Sequence, residues 1–170
     1  MRFVRNSTGR LYGMMLVLAV VVLLADQLTK RWAVTALSDG ERITVIPDLI
    51  QFRLLYNAGA AFSIGTGATW VFALAAAVAV GGILYIARRL TSPGWALVLG
   101  VLLGGAVSHL GDRLFREPGF AHGHVVDFID YGGLFVGNVA DIALTCGGVV
   151  TVLLSLRGVP LAKAPGEEPA

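Results

Sequence analysis

The run TWVFALAAAVAVGGILYIA, residues 69–87, decides the fold. It carries no charged side chain, and a helix needs about 20 apolar residues, within a range of roughly 17–25, to cross a bilayer. Three other stretches read the same way: Leu11 to about Leu24, Trp95 to Leu110, and Val139 to Leu156. The first is short unless it continues through Ala25–Trp32, which puts Asp26 and Lys30 at its boundary. So read, the spans are 11–32, 69–87, 95–111 and 139–156. A cleavable signal peptide is the other reading of the first stretch, but no small-x-small cleavage site follows it. A retained first span is expected.

Composition agrees. Hydrophobic residues make up 56% of the 170 and charged residues 14%, against about 25% charged in a soluble domain. Mean hydropathy is +0.76. A net charge of +2, with no basic run longer than two residues, excludes a nucleic-acid partner. The single cysteine, Cys146, excludes an internal disulfide framework. No internal repeat is visible, which weighs against an inverted-repeat transporter.

Basic residues beside the spans set the orientation. With the N-terminus inside, Arg2, Arg5, Arg10, Arg88, Arg89, Arg157 and Lys163 are cytoplasmic, while Lys30, Arg31, Arg42, Arg53, Arg113 and Arg116 lie outside among many acids. Both termini are read as cytoplasmic. Between the first two spans, Ile50, Phe52, Leu54 and Tyr56 alternate with Gln51, Arg53, Leu55 and Asn57, the pattern of a half-buried strand. The fold class is therefore an all-α integral membrane protein, four transmembrane helices with a small extracytoplasmic β-sheet subdomain between spans 1 and 2, over about 43–63. Residues 1–163 form one unit, and the tail 164–170 is expected to be disordered. The Gly-Gly pairs at 81–82, 104–105 and 147–148 read as close helix packing. Trp32, Trp70 and Trp95 read as interfacial anchors.

The polar residues of this chain fall at one depth. Asp26 and Lys30 end the first span, and Asn57 ends the strand segment. His109, Asp112 and Arg113 end the third span, and Asn138 and Asp141 begin the fourth. An ion pathway would string acids across the whole bilayer; a single shallow site is favoured instead. Asp127, in His-Val-Val-Asp-Phe-Ile-Asp (124–130), joins Asp141 there. Two carboxylates in one place are the minimum equipment for acid–base hydrolysis without a metal. Asp141, in the first turn of the fourth span, is favoured as the anion by the helix dipole, and apolar neighbours favour a proton on Asp127.

Each candidate also has a plainer reading. Asp26 and Lys30 stand four apart, acid first, as a structural ion pair does. Asp112 and Arg113 suit a helix end among headgroups, Asn138 suits an N-cap, and Asp130 suits a solvated surface. His109, His122 and His124 invite a zinc reading, but no cysteine or Glu-x-x-His accompanies them. A serine protease built on Ser108 and His109 is poorer, since adjacent helical residues do not face each other. The remaining alternative is a non-catalytic polytopic membrane protein that binds a cation or a partner through its outer carboxylates.

The ordered motifs Asp26-Gln-Leu-Thr-Lys30, Tyr56-Asn-Ala-Gly-Ala-Ala-Phe-Ser63, Gly104-Gly-Ala with Asp112-Arg113, Val125-Val-Asp-Phe128 and Asn138-Val-Ala-Asp141 resemble those of the bacterial lipoprotein signal peptidases, type II, from Leu11 to Leu156. The resemblance implies an intramembrane aspartic endopeptidase of the bacterial cell membrane. Such an enzyme removes the signal peptide of a prolipoprotein just before a diacylglyceryl-modified cysteine. Carried over by position, Asp127 and Asp141 match the catalytic pair. Asn57, His109, Arg113 and Asn138 match substrate-side positions, and Asp26, Lys30 and Asp112 match the structural surround. A monomer in contact with membrane lipid, with no cofactor and no metal, is implied.

Two motifs depart from the family pattern. Ser108-His-Leu-Gly-Asp-Arg113 stands where Gly-Asn-Leu-Ile-Asp-Arg is usual, so His109 replaces an asparagine facing substrate. In the last motif, Ile142 stands where serine is common and Gly137 where phenylalanine is usual. If the face of the third span that His109 shares with Asp112 and Arg113 borders the dyad, His109→Asn is expected to keep or raise activity, most of all below about pH 6.5.

Overall fold

Four helices, each long and apolar enough to cross a membrane, form the body of the chain. A computed structural model describes residues 2–59 and 69–162, with side chains from residue 8. Lys163, the tail 164–170 and the part of the Tyr56–Ser63 motif beyond Gly59 lie outside the described residues. In chain order the elements are α1 (Arg2–Ala36), β1 (Arg42–Ile46), β2 (Ile50–Asn57), α2 (Thr69–Ala87), α3 (Pro93–Phe115), β3 (Val125–Tyr131), β4 (Val136–Gly137) and α4 (Val139–Leu156). α2 and α4 coincide with the spans read from hydropathy. α1 runs past its span at both ends, and α3 runs past its own because Asp112, taken for a span end, continues the helix and pairs with Lys30.

α3 is the central helix. Its start follows from Pro93 at the first turn, where a missing N–H costs nothing. Its glycines set the close contacts. A Cβ on Gly100 would lie 2.8 Å from the Met15 carbonyl, and one on Gly104 would lie 2.6 Å from that of Ala19. α1 and α3 therefore meet backbone to backbone through small residues spaced four apart. On the other side, Gly105 seats Leu144 and Gly147 seats Leu102. The packing reading fails for Gly81, Gly82 and Gly148, where nothing among the described residues lies within 4 Å.

At one end of the bundle, Met15, Ala19, Trp95, Leu99 and Leu103 pack into a core, with Leu90 sealing it. Trp95 belongs there rather than at an interface: it is buried, and its indole N–H donates to the Val159 carbonyl at 2.8 Å. At the other end, Ala33 and Leu37 of α1 pack on Phe128 and Ile129 of the sheet. Trp32 sets its ring edge-on to Phe52 and Phe128, at 5.4 and 6.0 Å.

The sheet is antiparallel, ordered β1-β2-β3-β4. Half of it comes from the α3–α4 connection, not only from the segment between the first two helices. Residues 125–130 of β3 are buried on both faces, so no alternation marks them as a strand in the sequence. The pairing of β2 with β3 sets Leu55 opposite Asp127 and Asn57 opposite Val125. β3 and β4 then lead directly into α4, which brings Asp127 and Asp141 to the same end of the bundle.

Candidate active site

Asp141 owes its position to the way α4 begins. Asn138 is the N-cap: its side-chain oxygen accepts the Asp141 N–H at 3.0 Å, and Asp141 Oδ2 accepts the Asn138 N–H at 2.9 Å. This reciprocal box satisfies two otherwise orphaned donors. A third donor of that turn, the Ala140 N–H, goes to Asp26 Oδ1 at 2.8 Å, so a carboxylate of α1 fixes where α4 starts. The remaining oxygen, Asp141 Oδ1, lies 3.2 Å from His109 Nε2 on α3. Gly137 matters here: a Cβ at that position would come 3.0 Å from Asp141 Oδ2.

Asp127 sits in β3 and is 2% exposed, whereas the Asp141 side chain is 41% exposed. Each Asp127 oxygen accepts one amide donor, Asn138 Nδ2 at 2.6 Å and Asn57 Nδ2 at 2.9 Å. Among the described residues no lysine or arginine forms an ion pair with it. Burial pushes the Asp127 carboxyl up to about 6, the nearby Asp141 charge adds to the rise, and the two amides oppose it. Asn138 thus serves both acids at once. Fully buried, it lies behind the cleft rather than within it.

Asn57 is held as firmly. Its side-chain oxygen accepts the Gly59 N–H at 3.0 Å, and its carbonyl accepts Arg113 Nη1 at 3.0 Å. Arg113 also donates to the carbonyls of Gly123 and Gly59, at 3.1 and 2.6 Å, and lies 5.5 Å over the Phe72 ring. At 4% exposed it is neither a headgroup residue nor an ion-pair partner of the acids. It ties together the carbonyls of Asn57, Gly59 and Gly123, of which Asn57 and Gly59 line the cleft.

The structural surround is a second cluster deeper in the bundle. Lys30 Nζ lies 2.6 Å from Asp26 Oδ2 and 2.7 Å from Asp112 Oδ2, and all three residues are 0–1% exposed. Ser108 donates to Asp26 at 2.6 Å, Gln27 to Asp112 at 2.9 Å, and Arg116 to Asp112 at 2.6 Å. Ser108 is therefore turned away from His109. Asp112 is no helix end in headgroups. Asp130 is also corrected: expected in solvent, it is 1% exposed and accepts from Arg53 at 2.6 Å, Gln51 at 3.0 Å and the Gly133 N–H at 2.8 Å. Burial works to raise its pKa, but these donors outweigh it and hold Asp130 below the usual carboxylate range.

His109, Arg113, Asn57, Asp127 and Asp141 line one cleft of about 360 Å³, walled by Phe72, Val125, Phe135 and Val136. Its apolar walls around two acids suit a peptide segment more than a free ion. His122 is on an exposed loop, with Nδ1 3.0 Å from the Phe120 carbonyl. Among the described residues no three His, Cys, Asp or Glu side chains converge as a metal site requires. Sequence reading missed Gln27, Arg116 and the aromatic walls. The Asp112–Arg116 spacing of four, acid first, was a usable signal for one of these.

Residues 18–157 match the family described as signal peptidase II. The chain belongs to the signal peptidase II family. Relatives named lipoprotein signal peptidase include one from Leifsonia xyli subsp. xyli, 44% identical over 160 residues, which cover 92% of this chain and 74% of that protein. Another, from Mycobacterium tuberculosis, is 49% identical over 145 residues, 85% of this chain and 72% of its own length. The fold is also similar to a bacterial membrane enzyme structure determined by the in meso method at 2.3 Å resolution. The TM-score is 0.75 with 26% identity, over 92% of this chain and 95% of that one. A signal peptidase II with four apolar helices is thus a multi-pass membrane protease.

Proposed function

We propose that this signal peptidase II removes signal peptides from bacterial prolipoproteins by an aspartic mechanism, cutting on the N-terminal side of a diacylglyceryl-modified cysteine. The observation that carries this reading is the unlike setting of two carboxylates on one cleft: Asp127 buried between amides, Asp141 open at a helix N-terminus. Unlike settings divide acid from base.

Asp141, ionised, takes a proton from a water as the water oxygen attacks the scissile carbonyl carbon. Asp127, protonated, donates to the carbonyl oxygen, giving a tetrahedral diol. Asp141 then passes its proton to the leaving nitrogen while Asp127 takes one back from a diol hydroxyl, and the C–N bond breaks. Both acids end as they began, with no acyl-enzyme. Asn57 and Asn138 hold Asp127 still, and Arg113 fixes the carbonyls beside them.

The cation-binding alternative is disfavoured by donor chemistry. Both Asp127 oxygens face amide N–H groups, which repel a cation rather than share it with the carboxylate. Arg88 and Arg89, with no acid paired to them among the described residues, lie at the far end from the cleft and support cytoplasmic termini and an extracytoplasmic site. At the membrane edge, an acylated cysteine would seat its chains in lipid beside the cleft. The test is cleavage of diacylglyceryl and unmodified precursors by the purified protein, with products weighed by mass spectrometry. The lipidated form should be cut far faster, leaving the lipidated cysteine as the new N-terminus. Equal rates, or a cut elsewhere, would overturn this reading.

A further inference from the structure

We propose that His109 is a positioning residue for Asp141 rather than a substrate contact, its Nε2–H fixing Asp141 Oδ1 from the neighbouring helix. The inference rests on the aspartic reading above and deepens it. His109 lies on α3, one turn before Asp112 and Arg113, yet its ring turns to α4. Nε2 is shielded from solvent and, among the described residues, makes no aligned hydrogen bond, Asp141 included. It approaches Asp141 Oδ1 to 3.2 Å, within N–H···O distance but poorly aligned. Such contacts are often long before substrate binds and tighten in the reacting complex.

The need for the contact follows from how Asp141 is otherwise held. The capping box fixes only Oδ2, through the Asn138 N–H. Oδ1 is the oxygen free to take a proton from water, and nothing else described restrains it. A donor on one lone pair of Oδ1 leaves the other aimed at the cleft, and stops the carboxyl from rotating about its last bond. The other charged groups near His109 are Asp127 from β3, Lys30 from α1, and Asp112 and Arg113 on its own helix. None of them reaches Asp141 Oδ1 as a hydrogen-bond donor.

Side-chain length now separates two substitutions that look alike. The amide nitrogen of glutamine reaches the place of Nε2, whereas that of asparagine stops at the place of Nδ1. The positioning role predicts the opposite of the expectation from sequence, that His109→Asn keeps or raises activity. The experiment is steady-state cleavage of a diacylglyceryl precursor by the full chain carrying His109→Gln, His109→Asn or His109→Leu, with Asp141→Asn as a control. Thermal unfolding of each is recorded alongside. Asparagine and leucine should each lower kcat about tenfold, the scale of one hydrogen bond to a charged group, with KM unchanged. Glutamine should restore kcat to within about threefold. A raised KM at unchanged kcat, or glutamine no better than leucine among folded proteins, would overturn the positioning role. Activity in Asp141→Asn would instead overturn the aspartic reading itself, whatever His109 does.

Discussion

Lys30→Met should destabilise this protein more than any other single change in the cluster around Asp26. Lys30 Nζ sits between Asp26 and Asp112, at 2.6 and 2.7 Å, with every partner buried. Together with Arg116 the group holds two negative and two positive charges, so it is neutral as built. Removing the lysine charge leaves two buried carboxylates with one guanidinium. Breaking a buried pair in this way costs about 3–5 kcal/mol. At about 2–4 °C per kcal/mol for a chain of this size, Tm should fall by roughly 10 °C. Asp26→Asn should also destabilise, because it strands the lysine charge, although the asparagine oxygen can still accept the Ala140 N–H. The double variant Asp26→Asn/Lys30→Met restores neutrality and should recover about 2 kcal/mol relative to the sum of the singles. Denaturant or thermal unfolding of the purified protein, followed by its helical signal, measures all three. Strict additivity, or a Lys30→Met protein within about 0.5 kcal/mol of wild type, would refute the claim that these charges are coupled.

Five further outcomes are expected. Because Asp127 must carry a proton to act as the acid and titrates at about 6, kcat/KM should fall as pH rises through that value. Asn57→Ala removes a donor that favours the Asp127 anion, so a pH–rate profile should show its alkaline limb moved upward; a downward shift would contradict the assignment. Gly104→Ala places a Cβ 2.6 Å from the Ala19 carbonyl and should cost about 1–3 kcal/mol by forcing α1 and α3 apart. Gly82→Ala, with nothing within 4 Å, should be silent to within about 0.5 kcal/mol in the same unfolding assay. EDTA or phenanthroline should leave cleavage intact, and loss of activity restored by zinc would promote the histidines to ligands.

The membrane spans were legible because hydropathy is a property of each residue alone. Residues 69–87 and 139–156 needed no partner to declare themselves. The end of α3 was not legible, since Asp112 and Arg113 look like a span limit until the pairing of Asp112 with Lys30, about eighty residues away, is known. β3 was hidden for a related reason: burial on both faces erases alternation. Asp130 was misplaced because only the register of β2 against β3 brings Gln51 and Arg53 to it. The two acids stood out, because a carboxylate beside a long apolar run is costly and therefore conspicuous. What each acid touches was another matter. Asn138 was readable as a cap from its position, but its second bond, to Asp127, depends on the turn that joins β4 to α4.

The most direct measurement is turnover of a diacylglyceryl precursor by Asp127→Asn and Asp141→Asn, each purified and confirmed folded by its unfolding transition. Each carboxyl has a proton to move in both halves of the reaction, and an amide can move none. No product should form with either variant. Substantial cleavage by either one would contradict the two-carboxylate mechanism.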